Sequence, residues 1–451
     1  MTSRRQRVAT AAVVTIAIFV VASSVIWGRS FQRRMPLIKL GAAPFVGRDD
    51  NDGWDWRAHW QLLLPIAVAV VVVIAAPPVL QRWRLRWVVV ATGASAAAFA
   101  VALAATDGTD GLFFGATDPT EYYDNVQRIR EWRSFVDTFV ERLPYYSVHI
   151  RGHPPGFVLV LKSIAGLGLH GAWPVVALSI VGVAVTPVAV LIAVHRLTDG
   201  TWTRRAAPFL VLTPYAIWQM TSADAFFTAV LAVAVALLSI ALTTRSRPVA
   251  VLASGACGLT IGASLMLTYG TVTFLAVPVA LLTASWRRWR RLALVVITSS
   301  VGVLGVVLAF NALGFWWLEG AAALREQYWA GTAKFRTWTY FALANVAVLL
   351  VAIGPAAAVG LVRSRPTRMW VLIIGAAAGV TVAEVSQYSK GEVERIWLLF
   401  YPWLLLAAAP LAAAGRSVAL KPSLRLDRLR LWLVVQATTA IVLQAALVTK
   451  W

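Results

Sequence analysis

LLLPIAVAVVVVIAAPPVLQRWRLRWVVVATGASAAAFAVALAATD, residues 62–107, is the stretch that decides the fold. It holds two apolar runs, each close to the roughly 20 residues a helix needs to cross a bilayer. Between them stand Arg82, Arg84 and Arg86. A short arginine-rich turn between two apolar runs reads as a membrane hairpin whose turn faces the cytoplasm. The pattern repeats along the chain. Thirteen apolar runs are read as spans, at 8–27, 60–80, 87–105, 172–194, 206–221, 223–243, 248–268, 270–286, 292–316, 340–361, 369–385, 396–414 and 431–449. With the N-terminus cytoplasmic, the blocks Arg4-Arg5-Arg7, Arg82-Arg84-Arg86, Arg204-Arg205, Arg245-Arg247, Arg287-Arg288-Arg290-Arg291, Arg363-Arg365-Arg368 and Arg416 to Arg430 all fall on one side. The C-terminus is then exoplasmic. The loop 28–59 runs against the pattern, because it lies outside yet carries Arg29, Arg33, Arg34 and Lys39. The first run is longer than a signal-peptide core and lacks a small-residue cleavage site, so it reads as an anchor.

Composition agrees. The chain has 451 residues, 59% hydrophobic and 14% charged, with a mean hydropathy of +0.72. Soluble domains are nearer 45–50% apolar and about 25% charged. A soluble enzyme, a secreted disulfide scaffold and a disordered chain are excluded. Cys257 is the single cysteine, so no intrachain disulfide and no cysteine metal cluster can form. The net charge of +21 does not point to nucleic acid, because no recognition module accompanies it. Membrane lipids are its expected partners, since arginine clusters beside spans suit anionic headgroups. The fold expected is an all-α polytopic membrane protein of about thirteen helices. It forms a single transmembrane domain over 1–451 in the cell membrane.

Acidic residues mark the other side. Of the 20, only Asp199 and Asp427 fall on the cytoplasmic side. Eight lie in the loop 106–155: Asp107, Asp110, Asp118, Glu121, Asp124, Glu131, Asp137 and Glu141. Two smaller exoplasmic loops follow, at 317–339 and 386–395. Chemistry is therefore expected on the exoplasmic face. In the large loop, Tyr122, Val126, Ile129, Val136, Phe139 and Leu143 recur at helical spacing and predict one amphipathic helix over 122–143, lying in the membrane interface. Asp118 followed by Pro119, with Glu121 three positions on, reads as a helix start and equally as a catalytic carboxylate. The prolines of TyrTyrSerValHisIleArgGlyHisProProGly, 145–156, predict an extended turn. The run 157–168 is too short to span and predicts a second interfacial helix. His153 reads either as a surface histidine in a rigid turn or as a catalytic imidazole. Gly258 and Gly262 have the small-xxx-small spacing of packed membrane helices. Gly166, Gly168 and Gly171 fit G-x-G-x-x-G, but no strand precedes them and no nucleotide site is read there.

In order and membrane side, these segments resemble the GT-C glycosyltransferases, in particular the protein O-mannosyltransferase and aminoarabinose-transferase branch. Asp118 and Tyr122 keep the spacing of the family's Asp-Glu-x-x-Tyr loop, although Pro119 replaces the adjacent Glu. HisProProGly at 153–156 stands where the family has Lys-Pro-Pro-Leu. The stretch 213–227 resembles its span-turn-span with Asp224 entering the next helix. The stretch 390–402 resembles its late loop, with Arg395 ahead of Tyr401 and Pro402. The resemblance covers about 87–415. It implies transfer of mannose or arabinose from a polyprenyl-phosphate sugar to an exoplasmic glycan, lipid or protein acceptor.

The residues suit that chemistry. An inverting transfer needs one carboxylate base and cations for the leaving phosphate. Asp118 is the expected base, with Glu121 in reserve. Arg395 leads the phosphate candidates, followed by Lys390, Arg325, Lys334 and Arg336. Tyr122, His153, Asp224 and Tyr401 are expected to line the substrate site. Trp316, Trp317, Trp329 and Trp338 suit the interfacial belt. No cofactor is expected, and no motif calls for a divalent metal. The alternative reading is a transporter or flippase of a lipid-linked sugar, which would place ionisable residues at midplane depth.

Overall fold

The computed structural model describes residues 4–36, 38, 40, 53–54, 56–57, 59–220, 223–363, 367–412 and 428–448. Lys39, Arg365, Arg416 and Asp427, which enter the topology argument, lie outside them. The described chain is all-α and membrane-spanning in character. Its one piece of sheet is a two-residue antiparallel pairing of Gly53–Trp54 with Leu447–Val448. Nine helices among the described residues are long and apolar enough to cross a bilayer: Gln6–Arg34, Trp60–Arg82, Leu85–Thr117, Trp173–Leu197, Asp224–Thr243, Arg247–Leu267, Trp286–Ala312, Trp338–Arg363 and Arg428–Ala446.

The other four apolar runs do not form long helices. The run at 206–221 ends its helix at Val211, passes through extended Thr213, and continues as a 3-10 turn over Pro214–Trp218. Pro214 has no N–H to continue the ladder. The run at 270–286 divides into Thr271–Phe274 and Ala276–Ala284. That at 369–385 is a 16-residue helix, Trp370–Val385. The run at 396–414 yields Tyr401–Leu405 and a 3-10 segment Leu406–Ala412, with Pro402 and Pro410 inside them.

Lipid tails are as apolar as leucine, so close packing and polar contacts between helices hold such a bundle together. The helices Arg247–Leu267 and Trp289–Ala312 show both. A Cβ on Gly258 would stand 2.0 Å from the Ser299 carbonyl oxygen, which is the close backbone approach that the small-residue spacing predicts. Beside it Ser254 and Thr298 share a hydrogen bond through their hydroxyls, and Ser299 Oγ donates to the Ser254 carbonyl at 2.9 Å. The N-terminal helix packs along Trp338–Arg363, with Phe31 stacked on Tyr340 at 5.1 Å. In the latter helix, Gly354 departs from helical geometry ahead of Pro355. Gln436 mends the break: Nε2 donates to Ile353 O at 3.1 Å, and Oε1 accepts from Ala356 N at 3.2 Å.

The large loop departs from the expected single amphipathic helix. The helix Leu85–Ala104 runs on through a 3-10 turn into Gly108–Thr117, so the irregular part begins at Asp118. Asp118 does not open a helix. Its Oδ1 accepts from the Thr120 amide at 2.7 Å and from the Thr120 hydroxyl, and the next helix starts at Tyr123. The 122–143 stretch is two short helices, Tyr123–Arg128 and Trp132–Asp137. Glu131 interrupts it, because its carboxylate accepts from the amides of Arg133 and Ser134 and caps the second helix afresh. The apolar positions still turn inward: Tyr122, Val126, Val136, Phe139 and Leu143 are all buried. The turn at 145–156 contains one helical turn, Val148–Arg151. The short helix after it, Gly156–Gly166, is present. A Cβ on Gly156 would meet the Met266 carbonyl oxygen at 2.3 Å, so this glycine lets the loop sit directly on the end of Arg247–Leu267. At the opening of the loop, Arg57 pairs with Asp107 and donates to the carbonyls of Gln444 and Leu447. Gln444 Nε2 donates to Asp107 Oδ2 at 3.0 Å.

Candidate functional site

Three segments far apart in sequence meet at one end of the bundle. The turn after Thr117 brings Glu121, the start of Asp224–Thr243 brings Asp224, and the short helix Val393–Ile396 brings Arg395. Arg395 Nε stands 3.1 Å from Asp224 Oδ2, and Nη1 stands 3.4 Å from Glu121 Oε1. All three side chains are buried. The span parity read from the sequence places 118–122, 224 and 395 on one side, and the contacts bring them to one end.

His149 completes the cluster. Arg395 Nη2 donates to His149 Nδ1 at 2.9 Å. A guanidinium has no acceptor, so Nδ1 accepts and Nε2 carries the proton. Nε2 lies 3.1 Å from Glu121 Oε1. Burial pushes the Glu121 carboxyl up to about 8, against the pull of Arg395 and helped by the Asp224 and Asp118 carboxylates. Burial, then the Arg395 charge, holds His149 well below the usual imidazole range. Burial also works against the charge on Arg395, but the surrounding carboxyl groups, Asp224 foremost, together outweigh it and raise its pKa. At neutral pH the cluster is therefore a neutral Glu121, a neutral His149 and an Asp224–Arg395 ion pair.

The aromatic surround fixes this geometry. Tyr122 is buried, packs edge-on against Phe157 at 4.8 Å, and donates through its hydroxyl to His149 O at 3.3 Å. His153 is half-buried, with Nδ1 2.8 Å from His149 O. Burial depresses its pKa, against the pull of Asp224. Tyr401 stacks on Tyr215 at 5.8 Å, and its hydroxyl donates to Val393 O at 2.7 Å, bracing the turn that carries Arg395.

Lys390, on the loop that leads to Arg395, and Arg336, just ahead of the helix Trp338–Arg363, form a second basic feature. Arg336 Nη1 donates to Lys390 O at 2.6 Å, and Nη2 meets Glu392 Oε1 at 3.0 Å. Lys390 is 7% exposed, with Nζ 4.4 Å above the Trp329 ring. No carboxylate pairs with it among the described residues. Burial lowers its pKa. The loop is strained: Gln387 and Glu392 adopt φ of 61° and 62°, a left-handed conformation that costs non-glycine residues on the order of 1 kcal/mol. Tyr328 holds it in place, its hydroxyl donating to Gln387 O at 2.9 Å.

Of the residues singled out from sequence, Glu121, Tyr122, His153, Asp224, Arg395 and Tyr401 come together. Asp118 lies beside them, half-exposed, and its Oδ2 meets no donor among the described residues. Lys390 sits on the loop that carries Arg395, and Arg336 reaches its backbone from the segment before Trp338–Arg363. Arg325 and Lys334 are exposed and make no ion pair among the described residues. His149, Tyr328 and Glu392 were not anticipated. The signal for His149 was its place four residues before His153. Among the described residues no group of three or more His, Cys, Asp or Glu side chains is arranged to hold a metal ion. No protein-family model matches the chain, and no curated protein matches it significantly.

Proposed function

We propose that this chain is a membrane glycosyltransferase of the cell envelope. In this reading it moves mannose or arabinose from a polyprenyl-phosphate sugar to an exoplasmic glycan, lipid or protein acceptor. The observation that carries the reading is the convergence of Glu121, Asp224 and Arg395 at one end of the bundle, beside a half-exposed carboxylate and an uncompensated lysine.

Asp118 is the base. Its Oδ1 is anchored by Thr120 and its Oδ2 is available. It takes the proton of the acceptor hydroxyl as that oxygen attacks the anomeric carbon. The bond from that carbon to the phosphate oxygen breaks, and polyprenyl phosphate leaves with the electron pair. Glu121 is buried and largely protonated at neutral pH, so it is a poor base there and serves to orient the Arg395–His149 pair. Arg395 already faces the Asp224 carboxylate, the Glu121 carboxyl group and an imidazole. Lys390 is therefore the cation that meets the growing phosphate charge, with Arg336 fixing its backbone. Phosphate is a good leaving group, so no second carboxylic acid is needed, unlike glycoside hydrolysis.

The test is transfer by purified protein from a panel of labelled polyprenyl-phosphate sugars. Asp118→Asn keeps the turn and cannot accept a proton, so turnover should fall roughly 10²–10⁴-fold. Lys390→Met should raise the donor concentration needed for half-maximal rate by about tenfold, the loss of one charge-assisted contact. Full turnover in a folded Asp118→Asn protein removes Asp118 as base. Movement of the lipid-linked sugar across vesicle membranes, with no transfer from any donor, would replace this reading by transport.

A further inference from the structure

A second cavity lies outside the Glu121 cluster and has no part in the chemistry above. Its volume is about 410 Å³, within the range of pockets that accept small molecules. The helices Tyr123–Arg128 and Gly156–Gly166 form two walls, and the start of Trp173–Leu197 forms the third. Leu161 lines it one helical turn beyond Phe157, the ring that packs on Tyr122.

The lining is divided by chemistry. Val126, Leu161 and Val175 supply apolar surface, while Lys162, His170 and Gln127 supply polar ends. No Asp or Glu lines it, and no carboxylate pairs with Lys162 among the described residues. Gly168 and Gly171 have φ of 84° and 94°. These left-handed turns fold the chain back and bring His170 to the cavity beside Lys162. The glycines therefore shape a turn at the rim, where the sequence motif alone suggested a nucleotide loop. The rim itself is apolar and exposed: Leu167 is 80% exposed, Leu169 61% and Trp173 63%. Such a group of exposed leucines beside a tryptophan fits acyl or prenyl chains at the membrane interface.

We infer that this cavity binds the headgroup of an anionic, phosphate-bearing lipid. Lys162 meets the phosphate, His170 and Gln127 hydrogen-bond its oxygens, and the hydrocarbon lies along Leu167, Leu169 and Trp173. A soluble phosphate would gain nothing from that apolar rim. A zwitterionic lipid would bring its own cation to a cavity that already holds one. This inference does not rest on the glycosyl-transfer reading.

The experiment counts bound lipid on the full chain in detergent by native mass spectrometry. Phosphatidylglycerol, a polyprenyl phosphate and phosphatidylcholine are titrated separately. Wild type should retain at least one anionic lipid in preference to phosphatidylcholine. Lys162→Met, which keeps the apolar stem, should weaken that retention about tenfold, and Lys162→Arg should restore it. Preference for phosphatidylglycerol identifies a bilayer lipid as occupant, and preference for the polyprenyl phosphate identifies a carrier lipid. Equal retention by Lys162→Met and wild type overturns the inference, and so does phosphatidylcholine binding as tightly as the anionic lipids. The readout is binding alone, so it stands whether or not the chain transfers sugar.

Discussion

Replacing Arg395 by Met tests whether its guanidinium is an internal charge hub. Nε and Asp224 Oδ2 are 3.1 Å apart, and the side chains are only 6% and 10% exposed. At an effective dielectric of about 20, that separation corresponds to roughly 5 kcal/mol of attraction. Against it stands the cost of keeping both charges from water. Removing one partner of a buried pair loses the attraction and retains the other partner's desolvation, a loss of about 3–5 kcal/mol. Glu121 adds less, because at neutral pH it is mostly protonated. For a chain of 451 residues the unfolding entropy is large and each kcal/mol shifts the melting temperature by only about 1 °C, so Arg395→Met should melt roughly 3–5 °C below wild type. The partner control is Arg395→Met with Asp224→Asn, which removes both charges together. It should recover at least about 2 kcal/mol relative to the sum of the single variants, since contacting residues couple. Melting is followed by size-exclusion retention after heating at a fixed rate, because unfolding of such proteins is often irreversible. An Arg395→Met protein that melts with the wild type and loses only donor binding refutes the hub and restores Arg395 as a phosphate ligand. Strict additivity in the double variant refutes the pairing with Asp224.

Glu121→Gln should flatten the pH dependence of stability. The folded carboxyl is raised to about 8 from the ordinary glutamate value of 4.5, so between these values the native state holds a proton that the unfolded chain has released. The stability it contributes is fully present below about 4.5 and is lost as pH rises toward 8, at up to about 1.4 kcal/mol per pH unit. Melting temperatures at pH 5 and pH 8 should differ more for wild type than for Glu121→Gln, and parallel profiles would contradict the buried-acid description. Gly156→Ala puts a Cβ 2.3 Å from Met266 O. That overpacking should cost about 1–3 kcal/mol and lower the melting temperature, whereas wild-type melting would show that the loop does not rest on Arg247–Leu267.

The all-helical, membrane-spanning character was legible because hydropathy reports the solvent around each helix, and solvent decides which helices form. Hydropathy does not report backbone continuity. The runs at 206–221 and 396–414 are apolar enough to be read as spans, yet Pro214, Pro402 and Pro410 sit within them, in 3-10 turns or short helices. A membrane protein tolerates such breaks where neighbouring groups satisfy the freed backbone, as Gln436 does around Gly354. The loop helix 122–143 failed for a local reason: Glu131 offers two amides a better acceptor than the preceding turn does. Its apolar periodicity still marked the buried face.

The site was legible as a list and not as an arrangement. Asp118, Glu121, Asp224 and Arg395 were found because charged residues are scarce in this chain and stand at the ends of apolar runs. Burial then divides their roles. Glu121, three residues after Asp118, is enclosed and neutral, while Asp118 stays half-exposed with one oxygen free among the described residues. The cations divide the same way. Arg395 and Lys390 are five residues apart on one loop, and from sequence Arg395 leads Lys390 as a phosphate ligand. Arg395 finds Asp224 and Glu121, partners 171 and 274 positions away, and its charge is used inside the protein. Lys390 finds the face of Trp329, which attracts a cation without neutralising it. In the proposed function an arriving phosphate would meet a lysine with no carboxylate partner among the described residues, whereas at Arg395 it would compete with the carboxylate of Asp224. On the proposed reading the more conspicuous arginine shapes the site, and the lysine is the cation offered to the phosphate.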